Sequence, residues 1–592
     1  MPVTVASEAL TPARVRRDSG SVTFLRWLRR HAAFLVALSL GAVLRVVVSL
    51  AYVPALIFPD TRGYLANALP FQVHDMRPSG YSLFLLPFRL FTDDLAPIEA
   101  VQHVMGLGLA VACYAFMLRR RLPPWAATLV VLPLLFDPLQ LVLEAYVLSD
   151  VLFETLLLGA CLLVLWRRRP GAGGLVVAGA MVGCSAFVRG AGTFMLVVFV
   201  VALLCLRVHW VKLVAFVLAA VIPMAAYAVD YHTTYGQYSL TTAGPRFLYG
   251  RLAPAVRCHD PQLHLPSYEQ RLCPHRRVGH RPNSGWFMWK HRHSPQYHVK
   301  APAGMTDLQV IKDFDKRVLR TEPLMYAGLV VPDFLRGFNP TRTNPVPAHP
   351  ATYWLFNDHY WTVDLFIKRG LLSKHIRDGT GYQPRLADFL TTYRQWVYTP
   401  GPLMAALLLL AVAALLGLGR ARRSGDRVAT ALLAATCVLP LLTAAALSGF
   451  SWRYQLPQIA LLPMAGALGV RAVLLGRHPD APEPAPPLRV LDRSAAFMAR
   501  LASPSSAGRP VPRAVGGGTL QWLLGIVYGA VVGCAVGLTA VASGWVSRSV
   551  AAGAGLVVGV SVSVVLLMAR IHVGPAEMDA SPEVGRRDAL YS

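Results

Sequence analysis

The chain has 592 residues, 55% of them hydrophobic and only 15% charged, with a formal charge of +26. A soluble domain usually carries about 25% charged residues, so the composition argues against a water-soluble enzyme and for a polytopic membrane protein. The positive charge does not point to nucleic acid either. The arginines sit in short clusters between apolar runs, as at Arg119–Arg121 and Arg167–Arg169, where they set topology and meet anionic lipid, and no basic and aromatic binding module is visible.

Residues 1–30 are polar and basic, with Arg14, Arg16, Arg17, Arg26, Arg29 and Arg30. The apolar run behind them is too long for a signal-peptide core, which predicts an uncleaved start and a cytoplasmic N-terminus. Runs of about 20 apolar residues suit a helix crossing roughly 30 Å of hydrocarbon. They fall near 32–53, 98–117, 123–142, 148–166, 174–189, 191–207, 211–229, 400–419, 428–448, 455–475, 519–541 and 548–569. Starting inside, the connections Arg119–Leu122, Arg167–Gly174, Arg207–Lys212 and Arg420–Arg427, and the segment after Gly476, are cytoplasmic, and their basic character agrees. The expected fold class is therefore an all-α polytopic membrane protein of about 12 transmembrane helices with one external mixed α/β segment. Segments 54–97, 143–147, 230–399 and 449–454, and the break at Arg189, are expected on the outer side.

The divisions follow: a basic N-terminus (1–30), a transmembrane module (31–229) holding the first external loop (54–97), an external segment (230–399) and a second transmembrane module (400–475). Within 230–399, residues 233–242 read as a strand. Asp307–Arg320 reads as an amphipathic helix, and 321–338 as a helix lying at the membrane interface. The Pro/Ala-rich stretch 476–518 reads as a cytoplasmic linker. A two-helix unit (519–569) and a cytoplasmic tail (570–592) complete the chain. Of eight cysteines, only Cys258 and Cys273 lie in a long polar region. A disulfide between them is the favoured reading in an external segment. Two unpaired thiols, or half of a metal site with His259, His264 and His275, are the alternatives.

Ionisable residues beside a membrane are costly unless they bind something. The first external loop holds Asp60, Arg62, Tyr64, Asp75, Arg77 and Tyr81. Asp137, Glu144 and Asp150 follow, then Arg189 in AFVRGAGTF, then Arg453 and Tyr454 in SGFSWRYQLP. Each has a plainer reading. Asp60 and Asp150 could cap short helices, Asp137 could make a turn before Pro138, and Arg189 could snorkel to headgroups or pair with Asp150. The functional reading is a carboxylate of raised pKa able to take a proton from an acceptor hydroxyl, with guanidinium forks for a lipid phosphate. No phosphate-binding nucleotide loop or dinucleotide fingerprint is present.

The chain resembles the membrane-embedded GT-C glycosyltransferases, in particular the branch that includes protein O-mannosyltransferases and the aminoarabinose transferase of lipid A. The resemblance covers about residues 30–475. It rests on Asp60 and Tyr64 after the first span, RPSGY (77–81), EAYVLSDVLFETLLL (144–158), VGCSAFVRGAGTF (182–194), YGQYSLTTAG (235–244) and RYQLP (453–457). It implies transfer of a sugar from a polyprenyl-phosphate carrier to an envelope glycan, lipid or protein on the outer face of a bacterial cell membrane, with inversion. It carries Asp60 over as general base and Asp150 as the second acid, with Glu144 as its rival. Arg189, Arg453 and Arg77 become donor-phosphate ligands, and Tyr64, Tyr81, Glu144 and Tyr454 substrate contacts. Some members carry paired acids in the first loop, whereas Thr61 and Arg62 follow Asp60 here, so no cofactor is certain and a divalent metal stays open. A transporter or lipid flippase using the same charges, or a non-catalytic scaffold, is the alternative; no internal repeat of the helix pattern favours a transporter.

Overall fold

The computed structural model describes residues 20–290, 292–343, 350–357, 381–474 and 476. The linker and the two-helix unit expected over 476–569, and the tail 570–592, lie outside the described residues, apart from Gly476. Among the described residues, five helices are long and apolar enough to cross a membrane: Arg26–Ala51, Ala96–Arg119, Trp210–Tyr235, Arg427–Leu447 and Trp452–Leu474. Two bent pairs raise the number to seven: Pro124–Phe136 with Pro138–Ala145, at 47°, and Pro384–Trp396 with Gly401–Leu416, at 49°. The other expected spans that fall within the described residues are present as shorter helices: Asp150–Leu165, Ala172–Val188, and Met195–Cys205 behind a 3-10 turn. A 16-residue helix such as Asp150–Leu165 rises about 24 Å, short of roughly 30 Å of hydrocarbon. The described residues thus hold five to seven helices of spanning length and do not confirm the expected count of about twelve, two of which, 519–541 and 548–569, lie outside them.

The first bend has a local cause. Asp137 precedes Pro138, and its carboxylate accepts the Leu139 N–H at 2.9 Å, capping the second half-helix. Arg342 clamps the same carboxylate through both terminal nitrogens, at 2.7 and 2.9 Å, and the Thr399 N–H adds a bond at 2.8 Å. The bend thus joins three distant parts of the chain.

Two apolar cores stack along the helices. One, built around Phe34, Tyr114, Leu134, Leu157, Phe199 and Leu461, fills the helix bundle. The other, around Tyr52, Tyr81, Tyr146, Trp354 and Trp452, lies under the loops at one end. The basic turns gather at the other end, where Arg120 pairs with Asp426 at 3.0 Å and Arg471 lies 3.7 Å from the same carboxylate.

The segment 230–399 is helical rather than mixed α/β as far as it is described. Its one strand is Gly381–Tyr382, paired antiparallel with Tyr52–Val53. The expected strand over 233–242 is absent. The helix from Trp210 runs on to Tyr235 and ends at Gly236, whose φ of +71° supplies the left-handed cap. The Thr241 and Thr242 hydroxyls then donate to the Asp75 carbonyl at 2.8 and 3.0 Å instead of leaving the backbone free for a sheet. The expected amphipathic helix is present as Asp307–Thr321. Thr306 and Gln309 cap it reciprocally, and Val310, Ile311, Phe314 and Val318 bury one face, each contributing about 1.5–3 kcal/mol. That face packs on Tyr249, Leu252 and Phe287, and a disulfide joins Cys258 to Cys273. Pro323–Arg336 is a helix with Leu324, Val331 and Leu335 exposed.

Candidate active site

The loops at the end opposite the basic turns are held in register by backbone. Leu56 bridges Tyr146 in parallel: its N–H donates to Ala145 at 2.9 Å, and the Val147 N–H donates back to Leu56 at 3.0 Å. Thr61 caps the short helix Pro59–Ala66. It accepts the Phe58 N–H at 3.0 Å and donates to the Val147 carbonyl at 3.0 Å. The cap is therefore Thr61, and the Asp60 carboxylate is left for other partners. Gly80 allows the next close approach. A Cβ there would meet the Phe187 carbonyl oxygen at 2.5 Å, so the helix Gly80–Phe91 packs against the end of Ala172–Val188, just before Arg189.

Asp60 is buried between two arginines. Arg77 Nη2 lies 2.8 Å from Oδ1, and Arg453 Nη1 lies 3.3 Å from Oδ2. Burial alone would push the carboxyl up, but the guanidinium groups of Arg77 and Arg453 outweigh it, and the pKa lies below the usual value. The expectation of a raised carboxylate is corrected on that ground: the charge partners win over desolvation. Burial and the negative charge of Asp60 together raise the Tyr64 phenol above its ordinary value.

Asp150 is buried at the start of its helix, ion-paired to Arg189. Its Oδ2 makes no hydrogen bond. The Arg189 guanidinium lies 5.3 Å from the Tyr454 ring centroid and that of Arg453 5.4 Å from the same ring, within cation–π range of both. The Tyr64 hydroxyl meets Ser149 Oγ at 3.3 Å, and the Tyr64 and Tyr81 rings meet edge to face at 5.0 Å. The structure therefore brings together Asp60, Asp150, Arg77, Arg189, Arg453, Tyr64, Tyr81 and Tyr454.

Glu144 is not among them. It is fully buried, and its carboxylate takes Arg45 Nε and Nη2, both at 2.7 Å, and His103 Nδ1 at 2.8 Å. Glu99 lies 3.3 Å from the other ring nitrogen of His103. Gln140 spans Glu144 and Glu154 at 3.1 and 3.0 Å. The substrate role expected of Glu144 is corrected accordingly: the carboxylate is engaged on every side inside the bundle. Gly106 makes room for it, since a Cβ there would meet Glu144 Oε1 at 1.8 Å. Sequence reasoning missed Arg45, Glu99, Gln102 and His103. Arg45 carried a usable signal, a lone arginine in the middle of the first apolar run. Gln102 connects the two groups of residues. Its amide donates to the Glu144 and Tyr146 carbonyls, both at 2.7 Å, and its oxygen accepts the Tyr81 hydroxyl at 2.7 Å.

Among the described residues, no group of three or more His, Cys, Asp or Glu converges to hold a metal. Both Asp60 oxygens already face guanidinium groups, so a divalent cation there would have to displace Arg77 or Arg453. Asp150 Oδ2 is a buried carboxylate oxygen of the cluster without a hydrogen-bond partner. His259, His264 and His275 form no such group with the disulfide-bonded Cys258 and Cys273.

No family model matches the chain, and no curated protein matches it. Among solved structures, the chain is similar to the archaeal oligosaccharyltransferase AglB from Archaeoglobus fulgidus, in complex with an inhibitory peptide and a dolichol-phosphate. The identity is 14% and the TM-score 0.33, over 85% of this chain and 58% of that one. The chain thus spans 58% of the length of the structure it matches, and at that distance the likeness carries neither fold nor activity.

Proposed function

We propose that this chain is an inverting membrane glycosyltransferase, moving a sugar from a polyprenyl-phosphate donor to a cell-envelope acceptor on the outer face of a bacterial membrane. The observation that carries the reading is the gathering of two carboxylates and three guanidinium groups from four distant stretches at one end of the helix bundle. That end is opposite the arginine-rich turns, which by the positive-inside rule belong in the cytoplasm with both termini.

Arg189 and Arg453 hold the donor phosphate, with Tyr454 between them. Asp60 is the base. In the resting site Asp60 is ionised and capped by Arg77 and Arg453. An arriving phosphate competes for Arg453, which weakens the cap and makes the carboxylate more basic. The acceptor hydroxyl gives its proton to Asp60 as its oxygen attacks the anomeric carbon. The bond from that carbon to the phosphate oxygen breaks, and the phosphate leaves as polyprenyl phosphate, its charge met by guanidinium groups. Asp150 holds Arg189 in place. A divalent metal, if the enzyme uses one, would find an unpartnered ligand in the buried Asp150 Oδ2.

The test is transfer by the purified full-length protein from polyprenyl-phosphate-linked hexoses and pentoses, wild type against Asp60→Asn. Transfer by the wild type that is lost in the variant is expected. Equal transfer by both overturns the assignment of the base. Lipid movement across vesicles without sugar transfer would favour a flippase.

A further inference from the structure

We infer that Asp60 divides the site into a donor side and an acceptor side, and that the exposed indole of Trp289 is the platform on which a carbohydrate acceptor stacks. This rests on the glycosyltransferase reading. The two oxygens of one carboxylate face different neighbours. Oδ2 faces Arg453, which shares the Tyr454 ring with Arg189. Oδ1 faces Arg77 at 2.8 Å, and the same guanidinium lies over the Trp289 ring at 4.9 Å. Arg77 thus contacts both the base and Trp289. In-line displacement needs the attacking hydroxyl on the side of the anomeric carbon away from the leaving phosphate. With the phosphate on Arg189 and Arg453, the hydroxyl comes from the Arg77 side. Arg77 is accordingly an acceptor-side residue, contrary to the phosphate role that the sequence resemblance implies for it.

Trp289 closes a helix, Ser284–Trp289, whose Ser284, Phe287 and Met288 are buried, yet it keeps 39% of its surface exposed. The Phe247 ring meets it in a T-shaped contact at 5.6 Å and fixes its plane. The supporting segment is tied to the first loop: the Asp75 carbonyl accepts the Thr242 N–H at 2.9 Å and both threonine hydroxyls. The Arg77 guanidinium lies over the ring at 4.9 Å, so a pyranose would lay its apolar C–H face on the part of the indole left exposed and turn its hydroxyls toward the arginine.

The experiment uses purified full-length protein in detergent, wild type, Trp289→Ala and Trp289→Phe. It titrates hexose tetrasaccharides and, separately, a serine- and threonine-rich peptide, with polyprenyl phosphate binding measured on the same preparations. The expected result is saturable tetrasaccharide binding by wild type, weakened about tenfold in Trp289→Ala and partly restored in Trp289→Phe, as loss of one aromatic contact implies. Polyprenyl phosphate binding should be equal in all three. Three results overturn the proposal: no tetrasaccharide binding by wild type, equal binding by wild type and Trp289→Ala, or Trp289-dependent binding of the peptide alone. Polyprenyl phosphate binding by wild type in those cases leaves the glycosyltransferase reading standing; its absence removes that reading as well.

Discussion

Asp60 Oδ2 and Arg453 Nη1 lie 3.3 Å apart although 393 positions separate them in the chain. The contact joins the first loop to the turn before the last described helix. With the Arg77 contact on the other oxygen, it keeps the buried Asp60 ionised when no phosphate is present.

A pH profile follows from that. The Asp60 pKa is depressed, so the ionised form persists on acidification and is lost only as pH falls through a value below the ordinary one of about 3.9. The acid limb of transfer should therefore lie below about pH 4 for the free enzyme, and higher for the donor complex, where the phosphate shares Arg453. Asp60→Asn should lower turnover about 10²–10⁴-fold with the protein still folded. An acid limb near neutrality in the free enzyme would contradict this.

The Arg45–Glu144 pair is fully buried and doubly bonded. Glu144→Ala strands a buried guanidinium and should cost about 3–5 kcal/mol, whereas replacing both residues by apolar ones of similar volume should recover most of it. Gly106→Ala, which drives a methyl into the Glu144 carboxylate, should cost about 1–3 kcal/mol. Thermal melting in detergent reads all three; a Glu144→Ala variant as stable as wild type would contradict the structural role.

Asp315 is buried in the helix Asp307–Thr321, and neither carboxylate oxygen has a hydrogen-bond partner. Burial raises its pKa well above the ordinary value. A raised folded-state pKa makes the stabilisation full at low pH, and it is lost as pH rises through that value. Hydrogen exchange in this helix should therefore speed up from acidic to alkaline pH beyond the intrinsic change. Asp315→Asn should flatten that excess, and an equal excess in the variant would rule Asp315 out as its cause.

The disulfide closes a loop with a sequence separation of 15. Its removal by Cys258→Ser with Cys273→Ser should cost the segment around it about 3 kcal/mol. Limited proteolysis between the two positions should quicken in the variant, and an unchanged rate would show that the surrounding core suffices.

Part of this was legible in the sequence. Asp60, Arg189 and Arg453 stood out because a charge beside an apolar run needs a partner or a ligand, and the alternation of basic turns assigned them to one end. Which charge meets which was not legible. Glu144 and Asp150 lie in one short motif, yet Glu144 turns into the bundle to Arg45 across 99 positions, while Asp150 meets Arg189. Periodicity found Asp307–Thr321 because one face of it is apolar. The same reasoning failed over 233–242, where Gly236 and two threonine hydroxyls override a strand-like alternation. Trp289 gave no signal, since its position over Arg77 comes entirely from packing.

Binding of a lipid phosphate by this cluster, as proposed, is read by ligand retention in native mass spectrometry. Purified wild-type protein is offered polyprenyl phosphate and the uncharged polyprenol of equal length, alongside Arg189→Ala/Arg453→Ala. Retention of the phosphate but not the alcohol by wild type, and loss of that preference in the double variant, are expected. Equal retention of both lipids by wild type, or an undiminished preference in the double variant, would contradict it.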